Sequence, residues 1–231
     1  VLRDLAEVRG RLETELNTAL YLASGMEAII VAHDGQLDEG LMQAALGVLV
    51  AKSDLIRNLG VAPGNRIRYV EPLAGNEAAL GLYYPDIPDQ WESVRAVIES
   101  RQPFLDGPLE LVQGGRGLIF RIPVELSDGS YWGMISTVLD ADRLWGKVEE
   151  AGVSLAQTQI CRVSPTGKLG AAFHGPDLPG ESGETLVGVD MIVPGGRWFL
   201  RQRILTPARS AQRGTWIRTG GWLGTFVFFA L

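Results

Sequence analysis

From residue 2 to about residue 32 the apolar positions recur at helical spacing. Leu12, Leu16, Ala19, Ala23, Met26 and Ile30 step alternately by four and three residues, the a/d seam of a helix that packs along one stripe. Leu5 and Leu2 continue the seam backward past an interruption at Arg9, with Val8 beside it, while Glu7, Arg11, Glu13 and Glu15 fill much of the remaining surface. Two uses fit this pattern: a stalk that dimerises, and a helix covering its own chain's core. One long helix can serve the first at one end and the second at the other. His33-Asp34-Gly35 ends it, with Gly35 as a left-handed terminator. Asp38 caps a second helix over residues 39–52, on the apolar positions Leu41, Ala45, Val48 and Leu49.

Beyond residue 54 the period shortens to strand alternation. Residues 55–59 and 66–72 read as two strands around Ala62-Pro63-Gly64-Asn65. Pro85 and Pro88 bracket a turn, and Asp89 caps a helix over residues 90–100 with Val94, Val97 and Ile98 on its apolar face. Three strands follow, at 109–113, 118–126 and 132–139, separated by Gly114-Gly115-Arg116-Gly117 and Ser127-Asp128-Gly129-Ser130. The first of these turns is glycine-rich like a phosphate loop, but strands flank it and no helix follows, so it reads as a hairpin. Two strands, a helical insert and three strands is the order of a PAS-type sheet. Asp140 then caps a helix over 141–151 carrying Leu144, Trp145 and Val148. Strands at 155–164, 168–174, 185–193 and 197–206, around Pro165-Thr166-Gly167 and Pro194-Gly195-Gly196, make a smaller second PAS-like sheet, with a surface loop over 174–183. The expected class is α+β. A stalk helix and second helix occupy 1–54, a first, distal PAS-like domain 55–139, a linker helix with a second, proximal PAS-like domain 140–206, and a C-terminal segment 207–231.

Composition narrows the function. The net charge of −6 argues against nucleic acid as a partner. One cysteine, Cys161, permits no intrachain disulfide, and with two histidines, His33 and His174, in unrelated contexts, neither a metal centre nor another cofactor is expected. There is no G-x-S-x-G, Walker loop or Cys–His set, and Asp86 and Asp89 sit where helix caps explain them, so no catalytic residues and no enzyme activity are expected of this chain. Charge is uneven, however. From Gly195 to Leu231 there are six Arg and no Asp, Glu or Lys. Residues 220–231 are uncharged, shorter than the about 20 residues of a spanning helix, and read as the start of one led in by Arg209, Arg213 and Arg218. Val1 in place of Met reads as a piece of a longer protein.

The residues Pro63-Gly64-Asn65, Pro72-Leu73-Ala74-Gly75-Asn76-Glu77, Leu80-Gly81-Leu82, Gly107-Pro108, Gln113-Gly114-Gly115, Gly117-Leu118, Pro123-Val124 and Tyr131-Trp132-Gly133 occur in one order that resembles the CHASE domain family. The likeness covers roughly residues 55–144. It implies an extracytoplasmic (periplasmic) sensor held between two transmembrane helices, upstream of histidine kinase, cyclase or cyclic-di-GMP output domains. It further implies a homodimer through the stalk helix, and a small-molecule ligand in the distal PAS-like pocket. In the cytokinin-binding members an Asp follows the Leu that corresponds to Leu82; this chain has Tyr83. Arg121 stands where those receptors carry a Thr on the pocket-lining strand. Losing an acid and gaining a guanidinium reverses the charge preference, so the expectation is a small anionic ligand, such as a carboxylate, oriented by Arg121 and Tyr83. The alternative is that Arg121 faces solvent or pairs with Glu110 or Glu125. Strand alternation adds Leu80, Leu82, Phe104, Leu109, Leu111, Ile119, Met134 and Ser136 as lining candidates, each of which plain core packing also explains. The rival function is a protein-interaction or dimerisation module without a small ligand. An open, partly polar cavity of about 300 Å³ or more favours the sensor, and a pocket closed by Tyr83 and Phe120 favours the rival.

Overall fold

The computed structural model describes residues 1–111, 114–178 and 185–204. The expected membrane entry over 207–231 and most of the surface loop before the third proximal strand lie outside them. Among the described residues no helix is long and apolar enough to cross a membrane.

The first helix, α1 (Leu2–Ala32), is one unbroken rod. Leu5, Val8, Leu12, Leu16, Ala19, Ala23, Met26 and Ile30 are all buried, so the seam read from the sequence is real. It is filled by the chain's own sheets and not left for a second copy. Gly35, with φ +70°, turns the chain out of the helix, and a Cβ there would fall 2.3 Å from the Trp132 indole nitrogen. Conformation and space both require glycine. Asp38 caps α2 (Glu39–Val50) by accepting from the Leu41 amide at 2.8 Å. The sequence reading of α2 holds at Ala45 and Leu49, which are half-buried against the core, and fails at Leu41 and Val48. Met42 and Leu46 are buried, whereas Leu41 and Val48 are 40% and 59% exposed. Almost every position of α2 is apolar, so periodicity cannot choose a face.

The first sheet contains β1 (Ile56–Pro63), β2 (Tyr69–Glu71), β3 (Phe104–Glu110), β4 (Arg116–Glu125) and β5 (Tyr131–Asp140), in the spatial order β2-β1-β5-β4-β3 and antiparallel throughout. Its helical insert, α3 (Pro88–Ser100), has Ile87 at the N-cap and Pro88 in the first turn, so Asp89 lies inside the helix and not at its cap. Pro88 fits there because its missing N–H would have had no intrahelical partner. β3 starts five residues earlier than the alternation suggested, since Asp106 and Gly107-Pro108 interrupt its apolar pattern. The helix α4 (Ala141–Glu150) is capped by Asp140, which accepts from the Arg143 amide at 2.8 Å. It leads to the second sheet, β6 (Gln159–Val163), β7 (Leu169–His174), β8 (Thr185–Val193) and β9 (Gly196–Ile204), ordered β7-β6-β9-β8.

α1 runs behind both sheets, against β4 and β5 of the first and β8 and β9 of the second. One continuous apolar core results, from Leu5, Val8 and Trp198 at one end to Met26, Met42 and Phe120 at the other. Asp54, at the entry to β1, ties this back layer together with Lys147 at 2.7 Å and Arg143 at 2.6 Å from α4. These hydrogen bonds hold its carboxyl at about 2, below the usual 3.8.

Candidate ligand-binding site

Strand alternation gives the first sheet two unlike faces. Leu59 and Val61 of β1, Leu118, Phe120, Ile122 and Val124 of β4, and Ile135 and Leu139 of β5 join the core beneath α1. The intervening positions face α3, and in the middle of the sheet the small or polar Asn58, Gly60 and Ser136 stand beside Ile119 and Val138. These five floor a cavity of about 410 Å³. Ile67, Val70, Ala79, Leu82 and Tyr84 wall one side, Ile87 and Gln90 of α3 close another, and Leu109, Glu110, Leu111 and Asp89 stand at its margin. Asp89 and Glu110 are both exposed.

Three polar groups are fixed at the cavity. The Asn58 amide donates to Asn76 Oδ1 at 2.7 Å, and Asn76 in turn donates to the Pro72 carbonyl at 2.9 Å. Tyr84 and Ser136 share a hydroxyl–hydroxyl bond of 2.7 Å. Burial raises the Tyr84 hydroxyl above its usual pKa, with the Ser136 bond opposing, so it stays protonated at physiological pH. Gln90 carries the third group, and its Oε1 accepts from the Arg121 guanidinium at 3.2 Å.

Arg121 is 1% exposed and lies on the α3 face of β4, opposite Ser136 in β5. It sits one position past the floor residue Ile119 on that face and does not line the cavity. Besides Gln90 it reaches Ser93 Oγ at 3.5 Å and Asp106 at 3.6 Å, neither of which is the Glu110 or Glu125 considered as its alternative partners. Its Nε has no hydrogen-bond partner among the described residues. Burial pulls the guanidinium below its usual pKa, while Tyr84 and Asp106 oppose the shift.

Of the residues expected at the pocket, Leu82, Leu109, Leu111, Ile119 and Ser136 come together around this cavity. Met134 and Phe104 lie in a small apolar cluster beneath α3 with Val94 and Val97. Leu80 is exposed and off the lining. Tyr83 turns away, bridging to Arg66, whose guanidinium stacks 4.9 Å from the ring centroid, and it is the neighbour Tyr84 that points inward. Phe120 packs against the α1 side, so neither residue named as a possible plug fills the space. Sequence reasoning missed Asn58, Tyr84 and Gln90. Asn58 carried the one available signal, an amide followed directly by the apolar run Leu59-Gly60-Val61-Ala62 of its strand.

A wider cleft of about 790 Å³ lies between the start of α1 and the foot of the second sheet, lined by Asp4, Val8, Val153, Leu178 and Gln202 among others.

A long back helix, two antiparallel sheets in series and a cavity over the first define a tandem PAS-like sensor domain. The CHASE domain family model matches residues 42–166, more than half of the chain, and the chain belongs to that family. No match is found among curated protein sequences. Solved structures of similar fold include an extracellular ligand binding receptor from Desulfohalobium retbaense, at a TM-score of 0.65 and 17% identity over 87% of this chain and 39% of that one. The ligand-binding domain of the Pseudomonas aeruginosa amino acid chemoreceptor PctC in complex with GABA superimposes at 0.59, with 13% identity over 87% of this chain and 96% of that one. The sensory domain of the Campylobacter jejuni chemoreceptor Tlp3 with isoleucine bound also gives 0.59, with 10% identity over 87% and 89%. At such identities the likeness concerns the fold.

Proposed function

We propose that this chain is the extracytoplasmic small-molecule sensor module of a membrane receptor of the histidine kinase or cyclase type, with its ligand in the distal cavity. The observation that carries this reading is the 410 Å³ space over the middle of the first sheet, larger than the about 300 Å³ at which small-molecule sites begin and lined by convergent polar groups. A protein-interaction module has no reason to place Asn58, Ser136 and Gly60 where the opposite face carries Leu and Ile.

An anionic group on the ligand is supported by Arg121, with Gln90 as the intermediary that shields it from the cavity, and no longer by Tyr83. PctC and Tlp3 are solved with amino acids bound, ligands that pair a carboxylate with an amine. In this cavity a carboxylate would lie toward Gln90 and Arg121, and an amine toward Asp89 and Glu110. Mass spectrometry of the gently purified protein, followed by calorimetry with small carboxylates, amino acids and adenine derivatives, tests this. The expected result is binding of a carboxylate-bearing compound that Gly60→Val abolishes, since a Cβ at Gly60 meets only ordinary contacts and larger atoms would enter the cavity from its floor. Tight adenine binding, or carboxylate binding untouched by Gly60→Val, would overturn it.

A homodimer is proposed as well, but through a different surface from the seam. Tyr21, 76% exposed, and Leu41 and Val48 form the outward apolar side of the α1–α2 hairpin. Sedimentation of Leu41→Glu/Val48→Glu checks this: the double variant is expected to be monomeric where the parent is dimeric.

A further inference from the structure

Among the described residues Asp106 is the one acid that faces Arg121, and it is shared. Its Oδ2 lies 3.6 Å from the Arg121 guanidinium and accepts from Ser93 of α3 at 3.2 Å. Its Oδ1 accepts from both terminal nitrogens of Arg162 at 3.3 Å, and Arg162 also donates to the Gly107 carbonyl at 2.8 Å. Arg162 belongs to β6, an inner strand of the second sheet, whereas Asp106 belongs to β3, the edge of the first. The same edge is held by the β8–β9 turn, where the Pro194 carbonyl accepts from the Leu105 amide at 2.9 Å. One carboxylate therefore stands between a guanidinium that touches the cavity wall and a guanidinium of the second sheet that clasps the first.

We infer that Gln90, Arg121, Asp106 and Arg162 form a relay that couples occupancy of the distal cavity to the joint between the two sheets. The inference rests on the reading of that cavity as the ligand site. Arg121 is fully buried, so its charge must be balanced by whatever lies within reach. At 3.6 Å its pair with Asp106 is looser than the about 2.8 Å of a charge-assisted hydrogen bond, which leaves room to close. While Gln90 supplies an acceptor, Arg121 has no need of the closer approach. A ligand that takes up or displaces the Gln90 amide removes that acceptor. Arg121 then draws Asp106 inward, and the carboxylate leaves Arg162. Arg162 is then left with the Gly107 carbonyl alone and holds β6 less firmly to the edge of β3. The signal is a choice between two partners for one carboxylate, and each arrangement is a distinct state of the joint.

The test needs no ligand, because Gln90→Ala removes the same acceptor. Amide hydrogen exchange is measured across β6 and the β8–β9 turn in the whole 231-residue chain, in the parent and in an Asp106→Asn background. In the parent background Gln90→Ala is expected to speed exchange there by about threefold or more, the range of coupling between groups of one network. In Asp106→Asn, which has no carboxylate for Arg121 to draw away from Arg162, it should add nothing. If Asp106→Asn does not fold, as judged by circular dichroism, Arg162→Met serves as the background with the same expectation. Exchange in β6 that ignores Gln90→Ala, or that changes equally in both backgrounds, overturns the relay. That result would leave the sensor reading standing. Conversely, a working relay in a chain that binds no small molecule would remove the sensor reading alone.

Discussion

The two faces of the first sheet are made from the same strands, residue by residue, and they are built to different ends. Toward α1, Leu118, Phe120, Ile122 and Val124 of β4 interdigitate with Leu16, Ala19 and Met26 and leave little space. Toward α3, the alternate positions of β4 and its neighbours carry Arg121, Ser136, Gly60 and Asn58, and a cavity remains. A strand's period of two lets one segment do both, because neighbouring side chains never share a face. The packed face supplies stability, and the cavity face spends some of it on polar groups that must find partners. Substitution should therefore be costly on the first and selective on the second.

The largest effect is expected at the packed face. Phe120→Ala removes a buried ring and should cost about 3–5 kcal/mol in urea unfolding. On the cavity face the most damaging single change should be Asp106→Asn, which strips the buried Arg121 of its carboxylate and should cost about 3 kcal/mol. If it proves neutral, Gln90 and Ser93 suffice for that charge and the contrast between the faces weakens. Tyr84→Phe leaves the Ser136 hydroxyl without its tyrosine partner and should cost about 1 kcal/mol, with the fold intact by circular dichroism. The smallest effect concerns the exposed network behind the packed face. The folded Asp54 carboxyl titrates at about 2, below its ordinary 3.8, so its contribution is present above about pH 4 and lost as pH falls through 2. Urea midpoints of the parent and Asp54→Asn should differ above pH 4 and converge toward pH 2; a constant difference would show that Asp54 acts through packing instead.

Most of the element order was legible from periodicity. The α1 seam, the Asp38 and Asp140 caps, and the hairpins at Gly129 and Gly167 all stand where alternation and turn residues put them. Faces were harder. α2 offered apolar residues all round, and only tertiary contact selects Met42 and Leu46 over Leu41 and Val48. The site was legible on its apolar walls, Leu82, Leu109, Leu111 and Ile119, because strand alternation governs them. It was not legible at Tyr83 and Tyr84, where a short helical turn begins and a single step in sequence exchanges inside for outside. Arg121 shows the remaining gap. Its strand could be expected and its face could not, and its partners Gln90, Ser93 and Asp106 arrive from α3 and β3.

The filled seam of α1 has a mechanical consequence. The helix is about 47 Å long at 1.5 Å per residue, and buried residues punctuate it from Leu5 to Ile30. Turning it about its own axis by the 100° between successive residues would carry Arg9 and Glu13 toward the sockets of Val8 and Leu12. The rod is thus keyed, like a shaft in a slotted bore. Any torque applied at one end must turn both sheets with it, while a tilt of the whole assembly meets no such stop.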